Sequence, residues 1–112
     1  MRPRMLKRVA ASLFIAATGC LATASAGADA AVVAMGREIV EQHCASCHAT
    51  GPAGDSPLPA APPFRDVHQR YDVELLVEAL VEGIVTAHAE MPQFEFEPQE
   101  AEAIVSYLKS LE

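Results

Sequence analysis

The chain has 112 residues, which bounds it at one domain. Eight Lys and Arg stand against fifteen Asp and Glu, a formal net charge of −7 that excludes the basic footprint of a nucleic-acid binder. Tryptophan is absent and aromatic residues make up 5% of the chain, so the core needs something besides large side chains.

Residues 1–30 read as a cleaved export signal. Arg2, Arg4, Lys7 and Arg8 make a basic start, Val9 to Ala17 an apolar run, and Ala24-Ser25-Ala26 or Ala28-Asp29-Ala30 a small-residue cleavage site. The apolar run is too short to favour a spanning helix. Within it, Ala17-Thr18-Gly19-Cys20 resembles a lipobox, and lipidation at Cys20 would tether the protein to a membrane facing the periplasm. The expectation is therefore a periplasmic protein, free or lipid-anchored, whose domain spans residues 31–112. That domain keeps four basic residues against fourteen acidic ones, a net charge of −10. It touches no nucleic acid, and a membrane only through Cys20.

Three helices with long irregular segments between them are predicted. The first runs from about Val33 to the Cys44 region, with Gly36, Ile39, Val40 and His43 near one face. Next come Cys44-Ala45-Ser46-Cys47-His48. A C-x-x-C pair followed directly by His is the pattern of c-type haem attachment. One helical turn places Cys47 at i+3 and His48 at i+4 from Cys44, so all three share a face. Two thiols then reach the two vinyl groups of one porphyrin edge while the imidazole points at the iron. A thiol–disulfide oxidoreductase has no need of His48. A tetrahedral zinc site rarely uses adjacent ligands and would need others.

From Thr50 to Val67 the chain is predicted as loop, with five prolines and two glycines. A structureless stretch of this length needs an object to wrap, and a haem is a fitting one. The second helix runs from Val73 to Glu82, with Asp72 as N-cap, Gly83 as terminator, and Val73, Leu75, Leu76 and Leu80 as its core stripe. A loop from Gly83 to Glu97 follows. The third helix opens at Pro98, a residue suited to a first turn, and buries Ala101, Ile104, Val105, Leu108 and Leu111 with Tyr107 beside them.

With His48 on one side of the iron, the opposite ligand remains to be found. Met91, ahead of Pro92 in the second loop, is the first candidate, because Met35 lies just before the attachment turn. His88 is the rival, His68 a more distant one, and His43 is expected to point outward. Met91 as a core gap-filler is the alternative without a ligand role.

Gly36, the Cys44-to-His48 motif, Pro62-Pro63-Phe64, His88-Ala89-Glu90-Met91-Pro92 and Ile104-Val105-Ser106-Tyr107-Leu108-Lys109 occur in an order that resembles the small monohaem class I cytochromes c of bacteria. The resemblance covers Gly36 to Leu111. It implies an all-α class I cytochrome c fold, three main helices and long loops around one covalently bound haem c and its iron. It implies that Gly36 lets the first and last helices cross near Ile104 and Tyr107. It implies that the Pro62 carbonyl accepts a hydrogen bond from His48, that Phe64 packs on the haem, and that Arg65, Tyr71 or both meet a propionate. The family's ring of docking lysines is missing, since Lys109 is the sole lysine after residue 30.

The function implied is one-electron transfer by a monomeric periplasmic carrier, not an enzyme, with His48 and Met91 as axial ligands and with redox proteins as partners. The alternatives are a haem c subunit of a periplasmic oxidoreductase complex and, further off, a CxxC thiol–disulfide oxidoreductase.

Overall fold

A computed structural model describes residues 23–84 and 90–112, with side chains from residue 29 onward. Its elements are α1 (Thr23–His43), a 3₁₀ helix (Phe64–Gln69), a 3₁₀ turn (Val73–Leu75), α2 (Leu76–Glu82) and α3 (Pro98–Lys109). Among the described residues there is no strand, and no helix is long and apolar enough to cross a membrane.

Helix α1 begins at Thr23 rather than near Val33. The added stretch is rich in alanine, the strongest helix former, a composition that suits a signal segment and a helix alike. Packing starts only further on. Gly36 is buried, Val33 and Ile39 are half-buried, and Val40 has an exposure of 0%, a spacing that puts one stripe against α3.

Gly36 is what allows this approach. A Cβ there would overlap the Ala103 carbonyl and come within 3.0 Å of the Tyr107 Cβ. The crossing thus lies over Ala103 and Tyr107, one residue from the expected Ile104.

Helix α3 starts with a capping box in which the Glu97 N–H donates to the Glu100 carboxylate at 3.1 Å, and Pro98 occupies the first turn. Its buried residues are Ala101, Ala103, Ile104, Val105, Tyr107 and Leu108. They form the core with Val40, Val73 and Leu80, and Cys44, Phe64 and Phe96 pack on it half-buried.

The second helical segment differs from its expected form. Val73–Leu75 is 3₁₀ and only Leu76–Glu82 is α-helical, with Asp72 accepting the Glu74 N–H at 3.1 Å. At three residues per turn Leu76 eclipses Val73 and Leu75 is turned away. Leu75 is therefore not core; it is 73% exposed. Gly83 ends α2 at a φ of +93°, a conformation that disfavours any side chain.

Candidate haem site

The attachment turn continues α1 through its last hydrogen bonds. Cys44 N donates to Val40 O at 2.9 Å, Cys47 N to Cys44 O at 3.1 Å, and His48 N to Cys44 O at 2.9 Å. The i+3 and i+4 spacings thus correspond to a real turn. Cys44, Cys47 and His48 are all half-buried, and both thiols are free.

Beyond His48 the chain is tied down at several points. Cys47 O accepts from Leu58 N at 3.1 Å, and Ala49 O from Phe64 N at 2.9 Å. Ala49 N donates to Ser56 Oγ at 3.0 Å, and the Tyr107 hydroxyl donates to Thr50 O at 2.7 Å. These bonds satisfy backbone that could not otherwise sit against a core. Ser56 and Thr50 were not singled out from the sequence; the only hint was Ser56 inside Asp55-Ser56-Pro57, a turn-forming tripeptide.

The loop these bonds hold is also closed on itself. Arg65 Nη1 donates to Gly54 O at 2.8 Å, with Gly54 at a φ of +92°, and the 3₁₀ helix Phe64–Gln69 replaces what the sequence suggested was loop.

His48 Nδ1 lies 2.7 Å from the Pro62 carbonyl. A carbonyl only accepts, so Nδ1 carries the proton and Nε2 keeps its lone pair. Pro62 and Pro63 lack N–H groups, and the next donor, Phe64 N, is engaged with Ala49 O. The Phe64 ring stands 4.7 Å from the imidazole at an interplanar angle of 41°. The histidine is fixed in ring orientation and in tautomer, as a metal-binding imidazole requires.

The Cys44 thiol is pushed up to about 11 by its burial, with a smaller contribution from Cys47. A catalytic thiol shows the opposite shift, because the thiolate is the nucleophile.

Of the other expected residues, Met91 is half-buried, and His88 lies outside the described residues. Tyr71 is 60% exposed, and His68 is exposed on the 3₁₀ helix. His43 is exposed, as expected, yet its ring has partners. Its ring meets Phe94 edge-on at 5.8 Å and Phe96 at 5.6 Å, while those two rings stack at 5.8 Å. The alternation Phe94-Glu95-Phe96-Glu97 turns both phenylalanines inward in an extended segment. This contact anchors the segment after Met91 beside the residue that precedes Cys44. Three residues of chain span at most about 10 Å, so Met91 is held close to that anchor.

The donor set fits a covalently held haem. Two free thiols lie one turn apart, a tautomer-fixed imidazole follows, and apolar Phe64 sits beside it. The family model described as cytochrome c matches residues 33–112. No curated protein and no solved structure matches the chain.

Proposed function

This chain belongs to the cytochrome c family, whose members are in general electron carriers on a covalently attached haem c, and on that premise we propose a periplasmic one-electron carrier with His48 and Met91 as axial ligands. The observation that carries the reading is the His48–Pro62 hydrogen bond at the end of the Cys44–Cys47 turn. It leaves Nε2 as the free donor atom of a ring that cannot rotate.

The iron, when bound, supplies the ferric–ferrous couple. The chain does the rest. Cys44 and Cys47 would anchor the porphyrin through thioether bonds, and His48 and Met91 would ligate its iron. Phe64 excludes water from the imidazole side. Arg65 spends one of its N–H groups on Gly54 and keeps others for a propionate, and Tyr71 stands at the solvent edge for the same role. With both axial positions filled, small ligands are kept off and no acid, base or nucleophile is needed. The protein is a carrier, not an enzyme, and the upward shift of the half-buried Cys44 thiol, together with a role for His48, speaks against the thiol–disulfide alternative. On this reading residues 1–30 direct export to the periplasm, which accords with cytochrome c domains being typically extracellular or periplasmic.

Visible spectra of the holoprotein, made in a host that attaches haem, test this. Haem bands should survive acid–acetone extraction, and Met91→Ala should lower the potential and raise affinity for carbon monoxide. Extractable haem would refute covalent attachment; unchanged carbon monoxide binding in Met91→Ala would move the sixth ligand to another residue, His88 first.

A further inference from the structure

The segment that follows Met91 is extended, and its alternation turns Phe94 and Phe96 to the same side. Both residues are half-buried, and their rings stack at 5.8 Å with an interplanar angle of 25°. Against this pair stands His43, the last residue of α1. Its ring meets Phe94 at 5.8 Å and 67°, and Phe96 at 5.6 Å and 77°, both edge-on. Edge-to-face contacts are directional, so they restrain the angle between rings as well as their distance. A basic residue in the last turn of a helix suits the dipole, and that alone would account for a histidine here. It does not account for two phenylalanines brought to it from about fifty residues later.

The same segment has a second set of fastenings. Phe96 N donates to Leu80 O at 3.0 Å. The Gln93 side chain lies over Gly83, where a Cβ would come within 2.7 Å of Gln93 Nε2 and 3.2 Å of Glu95 Cγ. These contacts tie the segment to the end of α2, which carries neither an attachment cysteine nor an expected iron ligand.

The His43 contacts tie it to the attachment turn instead. Cys44 is the next residue, and its N–H continues the helical hydrogen bonds of α1 by donating to Val40 O at 2.9 Å. On the other side, Met91 stands three residues before Phe94, within about 10 Å of chain. His43 therefore joins the turn that carries Cys44 and His48 to the segment that carries Met91.

We propose that His43 is a positioning residue for the sixth iron ligand: its ring, edge-on to Phe94 and Phe96, holds the Met91 segment against the attachment turn and so sets how rarely Met91 leaves the iron. The proposal rests on the reading of Met91 as that ligand, and it adds what keeps the ligand in place. Loss of two edge-on contacts of an exposed ring corresponds to a roughly fivefold rise in the fraction of molecules with Met91 off the iron. An added ligand that binds only those molecules gains by the same factor.

Titration of the ferric holoprotein with imidazole measures that fraction, because imidazole takes the position that Met91 leaves. His43→Ala should bind imidazole roughly fivefold more tightly, with a reduction potential between those of the parent and Met91→Ala. His43→Phe restores a ring edge and should return the affinity to within about twofold of the parent. Phe94→Ala should act like His43→Ala, and the double variant should gain less than the product of the two. In a Met91→Ala background His43→Ala should change nothing. Gln42→Ala, exposed beside His43, should leave imidazole binding within about twofold of the parent. The Phe96 amide, bonded to Leu80 O, should keep its hydrogen-exchange protection in His43→Ala, which separates a shift of Met91 from general loosening.

Unchanged affinity in His43→Ala, no rescue by His43→Phe, a fully multiplicative double variant or a deprotected Phe96 amide would each overturn the positioning role. Met91→Ala keeps the two readings apart. If it leaves imidazole binding and potential unchanged, Met91 is not the ligand and the reading beneath the proposal falls with it. If it changes both while His43→Ala changes neither, only the positioning role falls.

Discussion

Gly36→Ala isolates the helix crossing on which the site depends. By propensity alone the substitution is favourable, since alanine in a helix interior is better than glycine by about 1 kcal/mol. Against that, the new methyl has to occupy the space of the Ala103 carbonyl and press on the Tyr107 Cβ 3.0 Å away. The nearest obstacle is backbone, so no rotamer change relieves it, and α1 and α3 must separate by roughly 1 Å in a close-packed interior. Overpacking of this kind costs about 1–3 kcal/mol, and a backbone obstacle belongs at or above the upper end. The net loss is then about 2 kcal/mol, which for a domain of this size lowers Tm by roughly 8–16 °C. Thermal unfolding of the holoprotein, followed by far-ultraviolet circular dichroism and by the haem band, measures it. Ala34→Gly, exposed on the same helix, calibrates the local propensity and should cost about 1 kcal/mol. Because the clash is with a carbonyl, adding Ala103→Gly should not rescue Gly36→Ala. A Gly36→Ala protein as stable as the parent, or one rescued by Ala103→Gly, would refute the reasoning.

Tyr107→Phe removes the donor to Thr50 O and should cost about 1 kcal/mol by thermal melt. Burial raises the Tyr107 pKa above its ordinary value, so its contribution is complete below about pH 10 and is lost as pH rises through the raised value; the Phe variant should lack that loss in melts run across the alkaline range. Val40→Ala, at a fully enclosed position against α3, should cost about 2 kcal/mol in denaturant unfolding, with an unchanged haem spectrum. His43→Ala gives up two edge-on contacts with Phe94 and Phe96, about 1 kcal/mol in all, and should also raise carbon monoxide binding by loosening the segment after Met91.

Local spacing made the attachment turn legible: Cys44, Cys47 and His48 need only one helical turn to share a face, and helical hydrogen bonds run through them. The three helices were legible from periodicity and caps, with Pro98 and Gly83 as boundaries. Where the reading failed, long-range or pitch effects governed. Leu75 looked like a widening of the core stripe, but at 3.6 residues per turn it stands roughly 100° or more from Val73, Leu76 and Leu80, and it is 73% exposed. His43 has nothing in its own neighbourhood that signals a partner; Phe94 and Phe96 arrive from about fifty residues later. Ser56 as a clamp on Ala49 depends on how a proline-rich loop folds back, which composition does not specify. The early start of α1 reflects an alanine-rich stretch whose composition serves a signal and a helix equally well.

The crossing and the site form one mechanical unit. Gly36 sets how closely α1 meets α3, and the same turn of α3 carries Tyr107, whose hydroxyl holds Thr50 two residues beyond His48. Ala49, between them, is bonded to both Ser56 and Phe64, and Phe64 follows the Pro62-Pro63 pair whose carbonyl fixes the imidazole. A displacement of α3 is therefore passed to the surroundings of His48 through a connected run of hydrogen bonds. The position of Nε2 is set by the packing of the first and last helices, not by the motif alone. That coupling makes a glycine twelve residues before His48 as much a determinant of where the imidazole stands as the proline fourteen residues after it.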